Sequence, residues 1–161
     1  MLEGILAGEL VLPADDTVEP FIDADDIADV AAAALTEPRH RNKLFEVTGP
    51  RALSFAQCIQ ELSEALGRPL TYTCVPIDDY INALREQGVP EDMQWLLREL
   101  FTAVFDGRNS DVMPGVEEAL GRPATDFRTY VEKPVNPASG IPSCGRHRHD
   151  LSPTPNPILK T

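Results

Sequence analysis

The chain has 161 residues, 26 of them acidic against 14 basic, and a formal net charge of −12. That length holds one domain with a real core, and the charge excludes a nucleic-acid backbone or an anionic membrane as partner, since both call for positive surface. No stretch reaches the roughly 18–20 apolar residues of a membrane span. Met1 to Leu12 carries Glu3 and Glu9 without a basic start, so it does not read as a signal peptide. Three cysteines (Cys58, Cys74 and Cys144), none in a Cys-x-x-Cys pair, fit a reduced, cytoplasmic setting better than a disulfide framework.

In chain order, Leu2, Ile5 and Leu6 predict a short helix ending near Gly8, followed by a β-like run at Leu10–Leu12. The chain opens inside a pattern, which predicts that Met1 is an internal methionine of a longer parent. Asp15-Asp16-Thr17 is a turn into Val18–Ile22. The clearest pattern runs from Phe21 to Pro50. Asp25 and Asp26 offer carboxylate caps to a helix start. Ile27, Val30, Ala31, Ala34 and Leu35 then lie on one helical face, and Pro38 stops the helix. Leu44–Thr48 reads as a strand and Gly49-Pro50 as a turn. The unit is strand, helix, strand, with the crossover length of a parallel sheet.

Ser54 and Gln57 form a capping box, with Leu53 and Cys58 as a hydrophobic staple. Phe55, Cys58, Ile59, Leu62 and Leu66 make that helix's buried face. Gly67 supplies its left-handed end and Pro69 prevents continuation. Leu70–Val75 alternates as a strand. Asp78 caps a helix carrying Ile77, Ile81 and Leu84. Met93, Leu96, Leu97, Leu100 and Val104 stripe the next one, with Trp95 and Phe101 widening the packed face. Val116–Leu120 is a short helix, and Thr125 caps a last one through Phe127 and Val131. Ala65–Pro69 recurs as Ala119–Pro123, a generic helix stop used twice. Residues 134–161 hold six of the fifteen prolines and few large apolar side chains, which predicts a disordered extension.

Val18 to Leu35 and Lys43 to Pro50, Val-x-x-Phe-Ile-Asp…Ala-Ala-Leu and Lys-Leu-Phe-Glu-Val-Thr-Gly-Pro, resemble the later part of NmrA-like proteins, NAD(P)-binding relatives of the atypical short-chain dehydrogenase/reductases. The likeness continues through Leu53–Val75 and, more weakly, to Lys133. It implies an α/β fold over residues 1–133: the C-terminal part of a Rossmann-type parallel sheet with a helical substrate-side cap. It also implies NAD(P) as the cofactor of the full-length protein and a small-molecule substrate.

The residues themselves name no reaction. There is no G-x-G-x-x-G turn to cradle a pyrophosphate, so no cofactor is expected to bind this chain alone. None of Tyr72, Tyr80 and Tyr130 is followed four positions later by the lysine of a Tyr-x-x-x-Lys pair. Asp23, Asp25, Asp26 and Asp29 read as caps and solvated acids before they read as metal ligands, and Cys144, His147 and His149 match no trusted zinc spacing. Ligands in open α/β sheets sit beyond the carboxyl ends of strands. By that rule Phe21 and Asp23, ending the first strand of the marked unit, are the candidate substrate-binding residues. The expected function is the substrate-side portion of an NAD(P)-dependent oxidoreductase. The alternatives are a non-catalytic NAD(P)-sensing regulator and a truncated interaction module. An uncovered sheet edge predicts self-association.

Overall fold

Four short strands and seven α-helices lie within residues 2–133, the part of the chain that the computed structural model describes. The tail expectation and Cys144, His147 and His149 lie outside the described residues. Helix α1 (Leu2–Ala7) leads into β1 (Glu9–Leu12), and β4 (Thr71–Cys74) lies parallel beside it, with Leu10 opposite Tyr72 and Leu12 opposite Cys74. The long connection between them holds β2 (Val18–Glu19), α2 (Ala24–Thr36), β3 (Leu53–Ser54) and α3 (Phe55–Leu66). Beyond β4 come α4 (Ile77–Glu86), α5 (Glu91–Glu99), α6 (Gly115–Leu120) and α7 (Phe127–Glu132).

Local signals set both ends of α3 as expected, although Leu66, expected on its buried face, is exposed. The Ser54 hydroxyl accepts from the Gln57 N–H, the Gln57 side chain accepts from the Ser54 N–H, and Gly67 ends the helix at φ 62°. Its Ile59 packs with Leu10, Leu12, Ala14 and Phe101 in the larger of two cores. Each such side chain contributes about 1.5–3 kcal/mol by leaving water. Cys58 is buried beside it, and burial, with a smaller contribution from the Glu61 charge, pushes its thiol up to about 12. A neutral thiol is a poor nucleophile. In native protein a thiol reagent is therefore expected to label exposed Cys74 readily and Cys58 only after denaturation. Peptide mapping of the labelled sites checks this, and native labelling of Cys58 would contradict its burial.

Two expectations are corrected. The parallel pair is β1 with β4, not the Phe21 segment with Leu44–Thr48. β2 instead lies antiparallel to β3. Phe21–Asp23 is irregular, and Leu44–Thr48 makes one antiparallel bridge, Val47 with Pro114. Pro20 has no N–H to donate to a ladder, and Asp23 is taken up as the N-cap of α2. The 44–49 stretch is threaded between two other segments. Gly49 N–H donates to the Pro20 carbonyl at 3.0 Å, and Gly115 N–H donates to the Glu46 carbonyl at 3.1 Å.

The buried face of α2 also differs. Asp26, Val30 and Ala33 point inward, whereas Leu35 is 87% exposed and Ile27, Ala31 and Ala34 face outward. The six alanines of this helix give every face an apolar character, so periodicity could not choose its rotation. Val30 packs with Val116 and Ala119 of α6 in the second core. In the α5 region Phe101 is buried as expected, but Trp95 is 64% exposed. The helix does not run on uniformly, because Leu100–Val104 forms a π-helical turn.

Candidate functional site

Phe21 and Asp23 open onto one cleft of about 220 Å³, walled by Phe21, Ile22, Asp23 and Ala24 on one side and by Thr125, Phe127 and Tyr130 on the other. The Phe21 and Phe127 rings lie 6.2 Å apart, and Phe127 and Tyr130 lie 6.1 Å apart. Tyr130 is 51% exposed and stands at the cleft's outer side. The α7 wall comes from a hundred residues downstream, so no local signal in the sequence announced it.

The electrostatics of the cleft come from paired charges. Asp23 is only 6% exposed. One of its carboxylate oxygens accepts from the Asp25 N–H at 3.0 Å and caps α2, in place of the expected Asp25 and Asp26 caps. The other receives the Lys133 ammonium, which also lies 3.3 Å from Asp25. Hydrogen bonding to Asp23 holds the Lys133 amine above its ordinary range. Asp26 and Asp29 are bound from the same C-terminal arm: Arg122 reaches each at 2.7 Å, and the Thr125 N–H donates to Asp26 at 2.6 Å. Burial pushes the Asp26 carboxyl up. The bonds from Thr125 and Arg122 outweigh it and leave the group below the usual carboxylate range. All four aspartates of the acidic cluster are thus engaged by Lys133 and Arg122, as caps and ion pairs. Arg51 ties Glu61 and Asp126 together at 2.6–2.9 Å. Neither Arg51 nor Arg122 stood out in the sequence, since nothing near them marks partners ten to a hundred residues away.

The carboxyl-end rule points elsewhere once the real parallel pair is known. Beyond β1 and β4 lie Pro13, Ala14 and Val75, which line a separate crevice. A ladder of aromatic rings joins the two places: Phe127, Phe21, Phe55, Phe105 and Phe101, with successive centroids 5.4–6.2 Å apart.

Neither strand end fits a dinucleotide. The turn after β1 presents Asp15 and Asp16, and α4, which follows β4, has Asp78 and Asp79 in its first turn. A pyrophosphate there would meet carboxylates where it needs glycine N–H groups. Neither of these two strand ends fits the pyrophosphate of NAD(P).

No family model matches the chain. It is 36% identical over 125 residues to the NAD(P)H azoreductase of Xenophilus azovorans, covering 78% of this chain and 44% of that protein. It is 33% identical over 114 residues to festuclavine synthase I of Penicillium roqueforti, covering 70% of this chain and 40% of that protein. The chain belongs to the NAD(P)-binding, NmrA-like atypical short-chain dehydrogenase/reductases, over part of their length. It spans less than half of the curated relatives it matches, and the part it matches is their C-terminal half. The structure of the Citrobacter sp. triphenylmethane reductase complexed with NADP(H) shares its fold, at TM-score 0.70 and 24% identity over 81% of this chain and 46% of that one. The α/β reading with a Rossmann-type parallel sheet therefore holds for this NmrA-like chain, with β1 and β4 as its parallel strands. No helix among the described residues is long and apolar enough to cross a membrane.

Proposed function

We propose that this chain is the substrate-side portion of an NAD(P)-dependent oxidoreductase acting on a small molecule in the cytoplasm. The observation that carries the reading is the β1–β4 pair. Parallel sheets are normally covered on both faces, and two strands rarely stand alone. Here β1 is paired on one edge only among the described residues, and a groove of about 460 Å³ runs beside it, lined by Gly4, Ala7, Val11, Ala83 and Leu84 among others. Such an edge is built for a further strand. A nucleotide-binding half placed there would hold the cofactor that these residues cannot, while this chain shapes the acceptor's surroundings. Phe21 and Asp23 are the proposed acceptor contacts, the ring as an apolar wall and the carboxylate as the group that fixes Lys133 at the cleft.

Fusing this chain behind the nucleotide-binding half of the azoreductase relative tests the reading. A folded fusion is expected to oxidise NADPH with an organic acceptor, while NADPH fluorescence titration of residues 1–161 alone is expected to show no saturable binding. A folded but inactive fusion, or saturable binding by the isolated chain, would favour the NAD(P)-sensing regulatory reading. The open edge also predicts self-association. Size-exclusion with light scattering is expected to show dimers or larger species that Val11→Lys converts to monomer. A wild-type chain that stays monomeric would remove the argument from the edge.

A further inference from the structure

We propose that the crevice beyond the carboxyl ends of β1 and β4 binds a planar aromatic cation. Its volume is about 470 Å³, and its walls include Ala14, Cys74, Val75, Phe101, Phe105 and Asp106. The place goes beyond the Phe21 cleft, and the binding assigned to it stands whether or not the ligand is reduced.

Position is the first argument. Open parallel sheets present their crevices at the carboxyl ends of the strands, and this crevice adjoins the carboxyl ends of the paired strands β1 and β4. The second argument is the π-helical turn over Leu100–Val104, closed by the Phe105 N–H donating to the Leu100 carbonyl at 2.9 Å. Such turns interrupt the regular ladder and recur at functional sites. This one sets Phe101 in the core and leaves Phe105 half-buried, with the two rings 5.7 Å apart and inclined by only 28°. Phe105 is the accessible ring of this pair and Phe101 the buried ring behind it, a slab one ring wide against which a flat ligand can stack.

Charge is the third argument. Asp15 and Asp106 stand on the rim. Both Thr17 donors go to the same Asp15 oxygen, at 2.9 and 2.6 Å, leaving its other oxygen without a partner among the described residues. Asp106 is paired with Arg108. Near Asp106, one Glu19 carboxylate oxygen is buried without a hydrogen-bond partner, and burial together with the Asp106 charge raises that carboxyl above its ordinary range. An aromatic cation would gain from the ring slab and from the carboxylates together, while an anionic ring of the same shape would be repelled. A cavity of about 150 Å³ holds benzene, so this crevice has room for a fused system of two or three rings.

The test is equilibrium binding of the three-ring cation proflavine to the full chain, read by fluorescence anisotropy at about 0.3 M salt, which screens diffuse attraction to an acidic protein. Saturable binding is expected, with amide shifts centred on Ala14, Val75 and Phe105. Thr102→Trp, an exposed crevice position whose replacement removes no core side chain, and Asp106→Asn are each expected to weaken it about tenfold, a change of about 1.4 kcal/mol. The anionic ring compound 8-anilinonaphthalene-1-sulfonate and the ringless cation tetraethylammonium are expected to bind at least tenfold more weakly. Equal binding of either control, unaltered affinity in both variants, or shifts centred on Phe21 and Tyr130 would overturn the proposal. The last outcome would favour the acceptor contacts proposed above, so the two readings fail separately.

Discussion

Gly49→Ala is expected to disrupt the second core, and Gly115→Ala to do nearly the same. A methyl carbon on Gly49 would lie 1.9 Å from the Phe21 carbonyl oxygen, and one on Gly115 would lie 2.2 Å from that of Glu46. Both obstacles are backbone, so no side-chain rotation relieves them, and the 44–49 stretch must separate from one neighbour. That breaks the Pro20–Gly49 or Glu46–Gly115 hydrogen bond and loosens α2 from α6. The cost should reach about 3–5 kcal/mol, a large share of the roughly 5–15 kcal/mol that stabilises a domain. Gly67→Ala is the control. Nothing lies within 4 Å of its added carbon, and the penalty comes only from its left-handed backbone at φ 62°, about 1 kcal/mol. Urea unfolding of the three variants gives the order, and equal losses at all three would show that close approach is not what the two buried glycines supply.

Arg122→Met should cost about 3 kcal/mol at neutral pH and reverse the pH response of the fold. Asp26 is 1% exposed and keeps its charge through Arg122 and Thr125. Removing the arginine leaves a buried carboxylate with only the Thr125 donors, and an uncompensated buried charge is expensive. Asp26→Asn should cost less, because the arginine it strands already reaches water. In the wild type the Asp26 carboxyl is held below its unfolded value near 3.9. Its contribution is therefore present above that value and lost as the pH falls through the folded pKa. Without Arg122, burial, the largest single influence, is opposed by the Thr125 bonds alone, and the folded pKa is expected to rise above the unfolded one. The contribution is then present at low pH and lost as the pH rises. Urea midpoints at about pH 4.5 and 7 should show the variant's deficit shrinking toward acid. A deficit independent of pH would mean that Asp26 is not the charge left behind.

Both predictions concern contacts between distant parts of the chain, and that is where the sequence was least readable. Helix α3 was legible almost to the residue because its start and stop are made by neighbours: Ser54 with Gln57, and Gly67 at the end. The extent of α2 was legible from the acidic residues at its start and Pro38 beyond its end, but its N-cap, Asp23 rather than Asp25 or Asp26, and its rotation were not. A tract of alanines has no polar side to turn toward water, and the inward face was chosen by Asp26 meeting Arg122, 96 residues away. The same holds at the Phe21 cleft, where Phe21 and Asp23 could be singled out but Phe127, Tyr130 and Lys133 could not.

The sequence by itself determined most of the helices, both ends of α3 and the kinship to NAD(P)-binding reductases, because each rests on residues within a turn or two of one another. The tertiary structure alone decided that β1 pairs with β4, and hence where the carboxyl-end crevice lies. Strand partners are chosen by burial and hydrogen bonding summed over the whole chain: Leu10 and Leu12 find their cover on α3 and in the turn after α5, and a ladder forms wherever that cover brings two backbones side by side.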